Sequence, residues 1–424
     1  MRITRAERFR GSFHLPGDKS LSHRLALFGA MAHGTTRILN FGTAADNAST
    51  LACLEALGVG VRRDGSTVEV EGHGPEALRA PKGALDCGNS GSTLRMLAGI
   101  LAGRPFRSVL TGDRSLQRRP VERVAVPLRQ MGARAESEGG KPPLVIEGGG
   151  LHGIRYEQKV ASAQVKTAVL LAGLQAEGRT TVTEPELSRD HTERLLPAFG
   201  VEVTRDGLAV SVEGGALLQA TTMEVPGDAS SAAFLLVAAL ILPDSEVRVE
   251  NVLLNPTRTA FLDVLREMGA DLEITVTGSE PEPVGVVTAR SSRLHGTTVR
   301  PEVVPALIDE VPILAVAAAH ALGTFTLTGA AELRVKESDR LSALAEGLTR
   351  LGVSLEELPD GLVVHGGRPL QAAAVCAHDD HRIAMCLAVA ALTAQGATLI
   401  EGAECASVSF PEFFGLLARG TGRD

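Results

Sequence analysis

Leu54-Glu55-Ala56-Leu57-Gly58-Val59 is the stretch from which the architecture can be read, because its pattern returns along the chain. The pattern is a leucine, two variable residues, a bulky apolar residue, glycine, then valine or alanine. It recurs at Leu128–Ala133, Leu196–Val201, Leu265–Ala270 and Leu348–Val353. The glycines are Gly58, Gly132, Gly200, Gly269 and Gly352, with steps of 74, 68, 69 and 83 residues, close to one sixth of the 424-residue chain. Six repeat units are therefore expected. Apolar residues lead into each copy at helical spacing (Leu51, Leu54, Leu57; Phe261, Leu265, Met268), which makes each glycine a helix C′ residue. Alternating runs such as Thr67-Val-Glu-Val-Glu71 and Leu208-Ala-Val-Ser-Val212 follow and read as strands. The unit is helix, turn, strand, strand.

A second repeat lies at half the chain length. Leu15-Pro-Gly-Asp-Lys-Ser20 and Val225-Pro-Gly-Asp-Ala-Ser230 are 210 residues apart, and each opens into an apolar helix pattern with Ser20 or Ser230 as the expected cap. Pro-Gly-Asp is also ordinary turn chemistry. Its agreement with the sixfold spacing favours two homologous halves of three units each.

Composition narrows the class of protein. A length of 424 residues exceeds one ordinary core, and 44% hydrophobic with 22% charged residues is globular. The longest apolar run, Ala232 to Leu242, is too short for a bilayer, and Met1 to Gly17 has no apolar stretch of signal-peptide type. A cytoplasmic location is expected, with no membrane partner. Five scattered cysteines without a C-x-x-C pair fit neither a disulfide framework nor a zinc module. A net charge of −8, no Trp and a single tyrosine, Tyr156, argue against a nucleic-acid surface.

Chemistry concentrates in a few segments. Pro16-Gly-Asp-Lys-Ser-Leu-Ser-His-Arg24 puts Lys19, Ser20 and Arg24 near a helix start, where free N–H groups and added cations make an anion site. By itself it also fits a capped surface helix. Gly88-Asn-Ser-Gly-Ser-Thr-Leu-Arg95 is a small-residue loop able to cradle an oxyanion, without the ending of a Walker A loop. Arg114, Arg118, Arg119 and Arg123 cluster in a net acidic protein, as bidentate grips on phosphate or carboxylate or as a solvated basic loop. Ser162-Ala-Gln-Val-Lys166, Ile308-Asp-Glu310, Glu332-Leu-Arg-Val-Lys-Glu-Ser-Asp-Arg340 and His378-Asp-Asp-His-Arg382 complete the set. The last has metal-like spacing in His378 and His381, but Arg382 would put a second cation beside a metal. The other reading is a carboxylate and histidine network that orients an arginine.

In this order, Pro-Gly-Asp-Lys-Ser, Gly-Asn-Ser-Gly, Arg-Arg-Pro, Ser-Ala-Gln, Pro-Gly-Asp-Ala-Ser-Ser, Leu-Arg-Val-Lys-Glu-Ser-Asp-Arg and Asp-Asp-His-Arg-Ile-Ala-Met resemble the 5-enolpyruvylshikimate-3-phosphate (EPSP) synthases, from Leu15 to Pro411. The resemblance implies an α/β fold of two inside-out domains, each of three βαβαββ units. One would be discontinuous, 1–16 plus 226–424, the other would be 17–225, and the active site would lie in the cleft between them. It implies transfer of the enolpyruvyl group of phosphoenolpyruvate to the 5-hydroxyl of shikimate 3-phosphate, without metal or organic cofactor. Members of the family are commonly monomeric, which sets the expectation here.

Carried onto matching positions, the resemblance assigns Lys19, Ser20, Arg24, Ser162, Ala163, Gln164, Asp309 and Lys336 to shikimate 3-phosphate. It assigns Lys19, Asn89, Gly91, Arg119, Gln164, Arg340 and Arg382 to phosphoenolpyruvate. Glu337 would protonate the methylene carbon, Asp309 would take the proton of the attacking hydroxyl, and Lys19 would share proton transfer. Two substrates with a phosphate and a carboxylate each bring roughly five to six negative charges, which the motif cations can match. Gly91 leaves the phosphoenolpyruvate pocket open, so competition by glyphosate, the family's inhibitor, is expected.

Two positions depart from some members. Val408 stands where they have a lysine before Ser409-Phe-Pro411, so that phosphate contact is absent, and no aromatic near Ser188–Thr192 meets the shikimate ring. The rivals are the enolpyruvyl transferase acting on UDP-N-acetylglucosamine, which usually carries a loop cysteine absent from Gly88–Pro120, and a non-catalytic anion-binding protein of the same fold.

Overall fold

The structure is a computed structural model that describes residues 1–423. The chain divides into two units: Met1–Pro16 with everything from Pro226 onward, and Gly17–Val225.

Every predicted repeat glycine ends a helix. Gly58, Gly132, Gly200, Gly269 and Gly352 all have positive φ, between 80° and 107°. In each copy the N–H two positions past the last helical turn reaches back to the leading leucine: Val59 to Leu54, Ala133 to Leu128, Val201 to Leu196, Ala270 to Leu265 and Val353 to Leu348, at 2.9–3.1 Å. Each glycine N–H bonds three residues back, as Gly58 does to Glu55 at 2.9 Å. This is the Schellman closure, and it needs a residue that tolerates the left-handed region. A sixth copy sits at the C-terminus. The Phe413–Thr421 helix ends with Gly422 at φ 68°, Arg423 N–H bonds Ala418 O at 2.9 Å and Gly422 N–H bonds Arg419 O at 3.1 Å. Ala418 and Thr421 replace the leucine and the bulky residue, so the geometry repeats where the sequence pattern does not.

In Gly17–Val225, the middle repeat shows the whole unit: strand Leu85–Asp86, helix Gly91–Ala102, strand Arg107–Thr111, helix Glu122–Gln130, then strands Arg134–Glu138 and Lys141–Glu147. The first strand pairs parallel with the second, and the last two add antiparallel. Three such sheets make up this unit. The helices Lys19–Met31, Gly91–Ala102 and Ala163–Gly173 are buried along almost their whole length, so helices form the centre and sheets the outside. An added Cβ at Gly99 would overlap the Ala168 carbonyl oxygen, which lets two central helices pack backbone to backbone. Strands from the far end, Leu218–Gln219 and Thr222–Glu224, pair parallel with Ala32–Leu39 and close the unit on itself.

The other unit repeats this plan around Ala229–Ile241, Val311–His320 and His381–Ala391. Its chain ends complete its sheets. Arg10–His14 pairs parallel with Glu246–Leu253, and Arg2–Thr4 adds antiparallel to Ala397–Glu401. Across both units the architecture is the expected mixed α/β one.

The expected serine caps are corrected. Asp18 caps the first central helix, accepting from Leu21 N–H at 2.9 Å, and Asp228 caps its counterpart, accepting from Ser230 N–H at 2.8 Å. A short carboxylate two residues earlier reaches the free amides better, and it places Ser20 and Ser230 on the first helical turn instead of at the cap.

Candidate active site

In Gly17–Val225 the starts of the three central helices gather. Lys19 Nζ pairs with Asp46 Oδ2 at 2.9 Å. Arg24 is buried, donating from Nε to Thr192 Oγ1 at 2.9 Å, from Nη2 to Thr167 Oγ1 at 3.1 Å and from Nη1 to Ser20 O at 3.0 Å. Ser162 caps its helix, its Oγ accepting from Val165 N–H at 3.4 Å, and Ala163 and Gln164 form the half-buried first turn. Gln164 donates to Ser92 Oγ at 2.9 Å and accepts from Arg95 Nη1 at 2.8 Å. That ties the Ser162 helix start to the Gly91 helix start, where Ser90 caps. First-turn amides lack helical acceptors and carry the positive end of the dipole, so this convergence presents donors suited to an anion before any cation is added.

Asn89 and Arg119 meet, with Arg119 Nη2 donating to Asn89 Oδ1 at 2.7 Å and to Ser115 Oγ at 3.1 Å. Asn89 in turn donates to Asp113 Oδ2 at 2.7 Å. At Gly91 an added Cβ would stand 2.6 Å from Arg95 Nη1 and 3.6 Å from Arg119 Nη1. The glycine thus makes room for two guanidinium groups.

The other unit gathers its helix starts around carboxylates and arginines. Arg340 is buried and donates to three carboxylates: from Nε to Asp380 Oδ2 at 2.7 Å, from Nη1 to Asp309 Oδ1 at 3.4 Å, and from Nη2 to Glu337. Arg382 donates to Asp309 O at 3.0 Å and lies 3.5 Å from Asp309 Oδ2. The side chains of Asp309 and Glu337 are 15% and 13% exposed, against 2% for Arg340, so the carboxylates can be reached while the guanidinium behind them stays dry. Burial pulls the Arg340 pKa down, but Asp380, Glu337 and Asp309 more than reverse it, and the net direction is up. Lys336 goes the other way, its ammonium destabilised first by burial, with Asp309 pulling against the shift.

At residues 378–382, Asp380 is the residue that orients an arginine. Asp380 Oδ2 receives Arg340 Nε and, at 3.1 Å, Ser338 Oγ, while Oδ1 caps the helix by accepting from Arg382 N–H at 3.0 Å. His378 turns to Glu346 at 3.1 Å, and His381 is buried in the helix. Among the described residues no group of three or more His, Cys, Asp or Glu is placed to hold a metal ion.

Several participants were not singled out in the sequence. Asp46, Thr192 and Arg95 hold Lys19, Arg24 and Gln164 respectively, and each comes from a distant segment. Ser230 donates to Glu310, and Arg258 Nη2 donates to Ser230 Oγ at 3.0 Å. Ser230 had a signal in the second Pro-Gly-Asp repeat. Arg258 had none, because a lone arginine in a turn resembles any surface arginine.

The chain is similar to known proteins along its length. A model of the family EPSP synthase (3-phosphoshikimate 1-carboxyvinyltransferase) matches residues 3–417. Proteins named 3-phosphoshikimate 1-carboxyvinyltransferase from Synechococcus sp. (strain JA-3-3Ab) and Geobacillus kaustophilus (strain HTA426) are 52% and 51% identical, over 98% and 97% of this chain and 96% and 97% of their own lengths. A solved structure of EPSP synthase from Acinetobacter baumannii matches with a TM-score of 0.88 at 44% identity, covering 99% of this chain and 97% of that one. Likeness at this level over the full length, on a sixfold fold whose helix starts carry the motif residues, means that the chain belongs to the EPSP synthase family.

Proposed function

We infer that this chain transfers the enolpyruvyl group of phosphoenolpyruvate to the 5-hydroxyl of shikimate 3-phosphate and releases phosphate. The observation that carries the reading is the pair of reachable carboxylates, Asp309 and Glu337, held on the one buried guanidinium of Arg340. Addition of a hydroxyl to an enol phosphate, followed by elimination of phosphate, needs a base for the attacking hydroxyl and an acid for the methylene carbon. Asp309 takes the first proton, Glu337 delivers one to carbon and later helps remove one, and Lys19 shares in these transfers. Arg340, Arg382 and Arg119 stabilise the negative charge on the departing phosphate.

For shikimate 3-phosphate the supporting residues are Lys19, Ser20, Arg24, Ser162, Ala163, Gln164, Asp309 and Lys336, the helix start at Ser162 being suited to its phosphate. For phosphoenolpyruvate they are Lys19, Asn89, Gly91, Arg119, Gln164, Arg340 and Arg382. Each charge-assisted contact contributes on the order of 1.5–3 kcal/mol, which collectively offsets repulsion between the two anions. Glyphosate competes with phosphoenolpyruvate in this reading.

The protein acts as a monomer in the cytoplasm, a placement supported by the biosynthetic family. Phosphate release with both substrates present tests the reaction. Release no faster than in single-substrate controls removes it.

A further inference from the structure

His23 lies on the same helix as Lys19 and Arg24, and its ring is completely buried. Its Nδ1 is 2.7 Å from Thr50 Oγ1, which is 2.7 Å from Thr93 Oγ1. Thr93 donates to Ser90 Oγ at 2.8 Å and lies 3.4 Å from Asp46 O. Ser90 caps the Gly91–Ala102 helix by accepting from Thr93 N–H at 3.1 Å. All four side chains are shut off from solvent, so water does not compete for these bonds.

Proton accounting gives the chain a direction. A hydroxyl has one proton to donate. Thr93 spends its proton on Ser90 or the Asp46 carbonyl, so it must accept from Thr50. Thr50 has then spent its own and must accept from His23, whose ring therefore carries its proton on Nδ1. Nε2 has no hydrogen-bond partner among the described residues, which leaves the Thr50 bond as the whole polar role of the ring. Burial first, then the charges of Lys19 and Arg24, hold the imidazole pKa well below its usual value, so the ring stays neutral.

We propose that His23 is a positioning residue: its neutral Nδ1–H, acting through Thr50 and Thr93, orders the Ser90 cap and so sets the Gly88–Gly91 turn that carries Asn89. Asp46 joins the two ends, since its carbonyl faces Thr93 while its carboxylate holds Lys19. The proposal rests on the assignment of Asn89, Gly91 and Arg119 to phosphoenolpyruvate.

Nitrogen-15 spectra of the full-length protein labelled at histidine report the tautomer without any turnover, with the His23 signals identified by their loss in His23→Asn. A neutral Nδ1–H ring at pH 7 is expected; an Nε2–H ring or an imidazolium overturns the proposal. In kinetics, His23→Asn places an amide N–H where Nδ1–H stood and keeps kcat and both KM values within about twofold. His23→Leu removes the donor and raises KM for phosphoenolpyruvate by roughly tenfold, more than that for shikimate 3-phosphate. Equal rises for both substrates, or an Asn variant no better than Leu, also overturn it. Inactivity of the unsubstituted enzyme counts against the reaction assigned to the chain, whereas a wrong tautomer counts against His23 alone.

Discussion

Glu337 and Asp309 share the guanidinium of Arg340, and that arrangement separates the effects of their removal. Glu337→Ala leaves Arg340 paired with Asp309 and Asp380, so on the proposed reading the variant keeps the cations assigned to phosphoenolpyruvate and loses only the proposed acid. We expect kcat to fall at least about a hundredfold while both KM values stay within roughly threefold; steady-state kinetics showing mainly a binding defect would remove Glu337 from proton transfer. Two histidines with lowered pKa set a second expectation at this scale. His23 is held well below its usual pKa by burial and then by Lys19 and Arg24, and His320 is lowered by burial against a bond to Val316 O. In the unfolded chain both take up a proton near pH 6.5. Below that pH the unfolded state binds protons that the folded state does not, so stability falls as pH falls, by up to about 1.4 kcal/mol per pH unit for each histidine until its folded pKa is reached. Urea midpoints at pH 7, 6 and 5 should show this loss, and His23→Asn should flatten it. An unchanged slope in the variant would assign the loss to other groups.

At the scale of elements, two glycines that look alike in sequence do different work. Gly352 ends a helix at φ 88°, and an added Cβ there comes no closer than 3.8 Å to Gln371, so Gly352→Ala carries only backbone strain of about 1–2 kcal/mol. Gly99 lies inside a helix of ordinary conformation, yet a Cβ would overlap the Ala168 carbonyl oxygen and force two central helices apart. Gly99→Ala should therefore lower the urea midpoint well beyond Gly352→Ala, although alanine is the better helix former. The reverse order would mean that the central helices yield easily. The Schellman ends were legible because their chemistry is local, a leucine, a bulky residue and a glycine within six positions. The closure at Gly422 was not, since Ala418 and Thr421 keep the hydrogen bonds without keeping the pattern. The caps were misread by two residues because Asp18 and Ser20 are both good cap residues and only backbone geometry chooses between them.

For the molecule as a whole, Gly17–Val225 begins and ends at one place, where an added Cβ on Gly17 would stand 2.8 Å from Val225 Cβ. Its last strands complete the sheet begun by Ala32–Leu39, and its central helices form their own core. A fragment of residues 17–225 should therefore fold cooperatively, with native-like helix content by circular dichroism and a sharp urea transition. It should release no phosphate from the two substrates, because Asp309, Glu337 and Arg340 belong to the other unit. A broad, non-cooperative transition would show that this unit depends on the remainder of the chain.

Turn chemistry, hydrophobic period and charged clusters act over a few neighbouring positions, so the repeat count, the two halves and the motif residues could be read before any coordinates. Even Asp309 and Glu337 could be named from their motifs and the family they resemble. What holds the site residues in place is set by the packing of distant segments. Arg340 is gripped by Asp380 from forty residues away, Lys19 by Asp46, Arg24 by Thr192 and Gln164 by Arg95. Such pairings arise where helix starts converge in space, and a residue's partner across that distance leaves no mark in its local sequence.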